Sequence, residues 1–360
     1  MTTVTLPVVA PAPLPALLDQ STIALQAWLA ERGEPAHRVK QMHRWLLAGR
    51  AESFAQMTDL PQRLRADLEA HFLPLGTRIA KHLRAADETH KLLVQLHDDK
   101  LIECVLIQEA DRHTACISTQ VGCGMGCVFC ASGIEGVARN LTVGEIVEQL
   151  VRLRNLTRPG ERLTHIVVMG MGEPLANLDN LLAALAIAGH KEGLNIGQRH
   201  ITISTVGLPV KIKRLAEVNK QYHLAVSLHA PNDTLRSQIV PTNAQTGIAA
   251  ILAAADDFYA VTGRQVTYEY VILGGLNDST QNARELAQLL AGRKAHVNLI
   301  PFNDVAGLPY RRPTPAAVQG LVAELNKAGV SAKVRKRKGS EIDAACGQLR
   351  RQAEADRTLA

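Results

Sequence analysis

Cys123, Cys127 and Cys130 stand as C-x3-C-x2-C in the run GCGMGCVFCASG. The pattern puts three thiolates on one tight, glycine-rich loop. Three is one short of the closed set a structural zinc takes, and one short of the four cysteines of an ordinary 4Fe–4S cluster. The spacing therefore points to a cluster with one iron left open to a further ligand. The competing readings are a zinc loop completed by a distant fourth ligand, or three cysteines without a common role.

Other polar groups fall at the ends of apolar runs. In GMGEP, Gly170 and Gly172 allow close approach to the backbone, and Pro174 biases Glu173 towards an extended conformation. A backbone edge beside a carboxylate suits a cationic ammonium or sulfonium ligand; taken alone, the motif reads as a turn. Ser204 closes HITIST, Ser227-Leu228-His229 closes HLAVSLHA, and Asn303 closes LIPFN. Singly, such a Ser or Asn is a helix cap; in register, the group could line one mouth. Cys116 and Cys346 are not needed by the loop, and each alone could be an inert buried thiol. Glu103, in LIECVLIQE, reads by itself as an exposed strand carboxylate, with Cys104 on the opposite face in the core.

These groups must be positioned by a chain of 360 residues, 46% hydrophobic and 21% charged, ordinary values for a globular protein. Residues 1–16 are Ala- and Pro-rich and read as a loose segment. Residues 17–77 carry helical periodicity, with Leu25, Trp28 and Leu29 on one face and Val39, Met42, Leu46 and Leu47 on another. Residues 78–111 alternate as short antiparallel strands. From 112 to 338 a strand–helix rhythm repeats. Strands are expected at ACIST, HIVVMG, HITIST, HLAVSLHA, VTYEYVIL, HVNLIPFN and AKVRKRK. Helices are expected over 142–153, 178–188, 210–218, 248–259, 282–291 and 315–328. Thr142 with Glu145 marks a capping box. Six βα units with apolar strands argue a parallel sheet; strand spacing does not fix its closure, and the expected fold is α/β, a partial parallel (β/α)6 barrel with a small helical domain before it. In such barrels the chemistry sits at the carboxyl ends of the strands, where the polar motifs fall. Residues 339–360 form a C-terminal tail carrying Cys346.

Six cysteines in this length make no disulfide framework and suggest a reducing compartment. The first residues lack the basic start of a signal peptide, and no apolar run approaches a membrane span. A cytoplasmic protein is expected, with a monomer as the default state. The net charge of +6 is compatible with a nucleic-acid partner. Arg32, His37, Arg38, Lys40, His43, Arg44 and Arg50 could contact RNA or form a solvated basic face.

The C-x3-C-x2-C loop, GMGEP, STVG, SLHAPND, NLIPFN and IDAACGQL occur here in the order of the RlmN/Cfr family of radical S-adenosylmethionine RNA methyltransferases, which the chain resembles over roughly residues 20–350. The N-terminal stretch RVKQMHRWLLAGRAESFAQMTDLP is similar to that family's opening. The cysteine loop is common to radical enzymes generally, so IDAACGQL is the discriminating piece. The resemblance implies that Cys123, Cys127 and Cys130 hold a 4Fe–4S cluster whose open iron is chelated by S-adenosylmethionine. Gly172, Glu173, Ser204, Ser227, Leu228, His229 and Asn303 match the cofactor-binding positions. It further implies that one cofactor molecule methylates Cys346, and that a second yields a 5′-deoxyadenosyl radical, which takes hydrogen from that methyl. The resulting carbon radical adds to an adenine ring carbon, Glu103 removes the ring proton, and Cys116 attacks the Cys346 sulfur to form a transient disulfide. The implied substrate is C2 of an adenosine in 23S rRNA, with tRNA as a further target; the implied electron donor is a flavodoxin or ferredoxin.

The basic residues gain a role in that reading. Lys333, Arg335, Lys336, Arg337 and Lys338 precede Cys346, and Arg350 and Arg351 follow it. Phosphate contacts there would position RNA, and salt should weaken binding steeply. Val137 occupies a place where the C2-modifying branch commonly has an aromatic residue, and the loop DVAGLPYRRPTP and the tail also depart from the well-known branches. The alternatives are C8 methylation, a non-catalytic RNA-binding iron–sulfur or zinc protein, and a radical enzyme acting on a small molecule.

Overall fold

The computed structural model describes residues 14–349, so most of the expected loose N-terminal segment, and Arg350 and Arg351, lie outside the described residues. Three helices open the chain: α1 (Thr22–Ala30), α2 (Arg38–Leu47) and α3 (Gln62–His71). Ser21 caps α1 by accepting from the Ala24 N–H, and Pro61 stands immediately before α3. Leu25, Leu29, Val39, Met42, Leu46 and Leu47 are buried, as their helical spacing requires. These side chains belong to the same continuous core as Ile117, Ile166, Leu224 and Tyr268.

β1 (Arg78–Arg84), β2 (His90–Gln95), β3 (Leu101–Glu109) and β4 (Arg112–Cys116) follow, each antiparallel to the last. A separate hairpin, β5 (Gln120–Gly122) and β6 (Val137–Asn140), frames the cysteine loop. Then come α4 (Val143–Asn155), β7 (His165–Val168), α5 (Leu178–Ala188), β8 (Ile201–Thr205), α6 (Pro209–Glu217) and β9 (His223–Ser227). The described chain is completed by α7 (Asp233–Ile239), α8 (Asn243–Thr246), α9 (Ile248–Thr262), β10 (Val266–Ile272), α10 (Thr280–Leu290), β11 (Ala295–Pro301), α11 (Pro315–Lys327) and β12 (Ser331–Val334).

Ten strands form one sheet in the order β1-β2-β3-β4-β7-β8-β9-β10-β11-β12. From β4 onward every pairing is parallel, and six helical crossovers join the seven parallel strands. The order never reverses, as in a barrel, yet β1 and β12 remain the two edges, so the sheet is open. The expected capping box at Thr142 is present, with Thr142 Oγ1 and Glu145 N 3.1 Å apart and Thr142 N and Glu145 Oε2 2.9 Å apart. The last strand stops at Val334 rather than running through Lys338; Arg335 donates one more backbone bond to Leu299 O, at 2.8 Å, before the cationic run leaves the sheet.

Candidate active site

The loop between β5 and β6 carries the three cysteines. Cys123 N donates to Gly136 O at 2.9 Å, and Cys130 N to Cys127 O at 3.1 Å, which folds the loop back on itself. Val128 N donates to Ile239 O, and Phe129 packs with Ile239, Leu273 and Phe302 in a second, smaller core beneath the loop. All three thiols line one cavity at the carboxyl ends of the parallel strands, with Val168, Ser204, Ser227, Glu269 and Ile300 on its other walls. Burial pushes the Cys123 thiol up to about 11 and raises Cys127 and Cys130, and the neighbouring thiols add to the rise. Among the described residues no three His, Cys, Asp or Glu side chains form a ready metal-binding group.

Gly170 and Gly172 make the expected close approaches. A Cβ on Gly170 would lie 2.7 Å from the Ile117 carbonyl carbon; on Gly172, where φ is +102°, it would lie 2.6 Å from Gln120 Cβ. Glu173 N donates to Gln120 Oε1 at 2.8 Å, while its carboxylate accepts from Leu175 N at 3.0 Å and Val206 N at 2.9 Å. Burial raises its pKa and these hydrogen bonds oppose the rise. The carboxylate thus closes the loop and also forms cavity wall.

Ser204, Ser227 and Asn303 cap none of the described helices; the caps nearby are Leu208, Asn232 and Thr314. Ser204 Oγ donates to Glu269 Oε2 at 3.1 Å and lies 3.4 Å from Ser227 Oγ. Glu269 is a site residue that motif reading missed; its signal was a lone carboxylate inside the apolar strand VTYEYVIL. His229 has a positive φ of 62° and accepts from Val271 N through Nδ1, leaving Nε2 to carry the ring proton. Burial, then Arg236, lowers its pKa to about 3, so the imidazole is neutral. Leu228 does not line the cavity; it is wholly buried, and its N–H donates to Glu269 O.

Cys346 lines this cavity and also a second one, which it shares with Cys116, Arg312 and the run Arg335–Lys338. All six cysteines are free thiols. Burial, then the neighbouring Cys346, pushes Cys116 up to about 12, with Arg335 opposing. The Arg335 guanidinium is itself raised, first by Cys346. The Cys346 segment is pinned from several sides. Ala131 N donates to Gly347 O at 2.8 Å, Ser132 Oγ to Leu349 O at 2.7 Å, and Asn303 Nδ2 to Cys346 O at 3.2 Å. Asn303 Oδ1 in turn accepts from Arg312, so its amide holds the Cys346 backbone.

Glu103 is not an exposed strand carboxylate. It is 2% exposed and pairs with the equally buried Lys91 at 2.9 Å. It lines neither cavity, but its N–H donates to the sulfur of Met171, within the GMGEP loop. Cys104 is fully buried, as expected. Of the N-terminal cations, Arg44 pairs with Asp59, Arg38 with Glu34, and Arg50 reaches across to Thr157 O. His37 and Lys40 remain exposed, as do Lys336 and Arg337 beside the second cavity.

Comparison with known proteins gives a consistent result. Residues 117–287 match the radical SAM superfamily, and residues 16–73 match the ribosomal RNA large subunit methyltransferase N-terminal domain. A probable dual-specificity RNA methyltransferase RlmN of Rhodopirellula baltica is 54% identical, covering 93% of this chain and 90% of that protein. The one of Symbiobacterium thermophilum is 46% identical over 91% and 88%. The crystal structure of a radical SAM methyltransferase from Sphaerobacter thermophilus superposes with a TM-score of 0.91 at 44% identity, covering 94% of this chain and all of that one. The open parallel sheet, the cysteine loop at its carboxyl edge and these likenesses agree: the chain belongs to the RlmN family of radical SAM RNA methyltransferases.

Proposed function

We propose that this chain methylates C2 of an adenosine in 23S rRNA, and also in tRNA, through a methyl group carried on Cys346. The observation that supports this most is the place of Cys346 on a wall common to two cavities, one holding Cys123, Cys127 and Cys130 and the other Cys116. Relatives named as dual-specificity RNA methyltransferases favour RNA as the substrate and more than one RNA target.

The donor set suits a 4Fe–4S cluster: three thiols in one cavity whose ionised forms burial and mutual repulsion disfavour, a penalty that bound iron would reverse. Cys123, Cys127 and Cys130 would hold it, and Gly172, Glu173, Ser204, Ser227, His229 and Asn303 would surround S-adenosylmethionine, with Leu228 packed behind them. When bound, these groups supply the methyl and the one-electron chemistry that an electron-poor amidine carbon such as adenine C2 requires. The chain's own residues do the rest. The Cys346 sulfur accepts the methyl and holds it against the base. Glu103 takes the ring proton. The Cys116 sulfur then attacks the Cys346 sulfur; an S–S bond forms as the S–C bond breaks, and the pair leaves with the carbon, which takes up a proton. An external thiol reduces the disulfide for the next cycle, and a flavodoxin or ferredoxin supplies electrons. Lys336 and Arg337, at the mouth of the second cavity, would bind RNA phosphates. The setting is cytoplasmic and the working unit a monomer.

Anaerobic reconstitution with iron, sulfide, S-adenosylmethionine, reductant and RNA, followed by mass spectrometry of the nucleosides, tests this. 2-Methyladenosine is expected. 8-Methyladenosine would overturn the C2 assignment, and unmodified adenosine from a loaded enzyme would overturn the whole reading.

A further inference from the structure

The register of the antiparallel strands puts Lys91, Glu103 and Cys116 on one face of the sheet. Leu93 on β2 stands opposite Glu103 on β3, and Val105 on β3 stands opposite Cys116 on β4. Side chains alternate along a strand, so Lys91 with Leu93, Glu103 with Val105, and Cys116 all project to the same side. The segment carrying Cys346 lies over that side: Lys91 Nζ donates to Asp343 O at 3.2 Å. The same Nζ is 2.9 Å from Glu103 Oε1, and each side chain is 2% exposed. One buried ammonium therefore touches both the Glu103 carboxylate and the backbone just before Cys346.

Two well-packed apolar residues would fill this space with less desolvation cost than a buried ion pair. The pair instead sits on the face of Cys116 and beneath the methyl-carrier segment. We propose that Lys91 is a positioning residue for removal of the adenine ring proton: it sets its ammonium against the Glu103 carboxylate and ties that carboxylate to the Cys346 segment. The inference rests on the reading of Glu103 as proton acceptor and deepens it. In that step the ring C–H bond breaks, the proton moves to a Glu103 carboxylate oxygen and the bonding pair stays in the ring, while the odd electron of the radical adduct passes back to the one-electron carrier that opened the cycle. The charged and titratable groups facing this side include Lys91 from β2, Cys116 from β4, Glu269 from β10, Arg312, the run Arg335–Lys338 beyond β12, and Asp343 and Cys346 in the covering segment.

The test uses the full chain, loaded with its cluster, in a Cys116→Ala background that stalls the protein–RNA adduct and removes the Cys116 titration. RNA deuterated at adenine C2 is the probe, and mass spectrometry of the adduct reads loss of the label against pH. Adduct formation reports that each variant folds. Lys91→Gln, which keeps a donor but removes the charge, should slow label loss about tenfold or more at neutral pH. It should also move the acid limb of the profile upward by about one unit or more, because a lost counter-charge makes a carboxylate harder to ionise. Lys91→Met, read the same way where Lys91→Gln does not fold, should do the same, and Lys91→Arg should restore the parent profile. Label loss at the parent rate and with the parent profile in the uncharged variants would overturn the role of Lys91. Glu103→Gln separates the two readings. If it retains the label while the Lys91 variants release it, only the Lys91 inference falls; if it releases the label normally, the proton-acceptor reading falls as well.

Discussion

Cys116 and Cys346 line one cavity as free thiols, with the Arg335 guanidinium beside them. One comes from the end of β4 and the other from the segment beyond β12, so only the folded sheet brings them together.

Replacing either thiol should separate their roles. Cys346→Ala should abolish 2-methyladenosine while leaving the melting temperature nearly unchanged, since Cys346 is a cavity residue and not part of the core. Cys116→Ala should leave a covalent protein–RNA adduct, seen as a shifted band on a denaturing gel. Absence of the adduct under reducing turnover would remove the resolving role of Cys116.

Release of that adduct in the parent enzyme should quicken with pH. The Cys116 thiol is pushed up to about 12 by burial and by Cys346, so the thiolate is scarce at neutrality and grows about tenfold per pH unit. Arg335→Met removes the group that opposes this rise, and should slow release and prolong the adduct in a time course at fixed pH.

Gly172→Ala should destabilise the fold. At φ +102° with a Cβ 2.6 Å from Gln120 Cβ, the new side chain must shift the loop, at a cost of about 1–3 kcal/mol. Thermal melting should record the loss, and S-adenosylmethionine affinity should fall with it as Glu173 moves.

The N-terminal helices are fastened to the barrel by Arg154, whose guanidinium donates to Leu46 O and Leu47 O at 2.9 and 2.8 Å. Arg154→Met strands two buried carbonyls, and should cost about 2–4 kcal/mol. Limited proteolysis should then cut first within the helices before β1.

Stability should decline on acidification in part through His229. Its folded pKa of about 3 lies below the ordinary 6.5, so the unfolded chain binds the proton first. The contribution is full above pH 6.5 and is lost as pH falls towards about 3, by up to about 1.4 kcal/mol per unit. His229→Gln should flatten that slope in denaturant titrations at pH 4 to 7.

Several features were legible because their causes are local. Parallel strands buried on both faces read as apolar runs, and the crossover helices announce themselves by period and by caps such as Thr142 with Glu145. The β5–β6 hairpin was not legible, because its strands are short and its register breaks at Val121 and Gly122. Helices α7 and α8 are likewise too short to show a period. Ser204 and Ser227 carry the residue type of helix caps, but the helices that follow begin several residues later, which leaves both hydroxyls at the cavity.

Spacing along the chain alone determined the three-thiol loop, the glycines of GMGEP and the succession of strands and helices along the chain, since each depends on neighbours a few residues away. Tertiary structure decided what those local patterns could not. It buried Glu103 against Lys91, set Glu269 beneath Ser204, and turned the helix-cap candidates into cavity walls. It also carried Cys346 back over the sheet to the wall common to the cysteine loop and Cys116. The reason is physical: burial and pairing of charge depend on what lies across the sheet, and residues far apart in the chain acquire a common environment only when the sheet has formed.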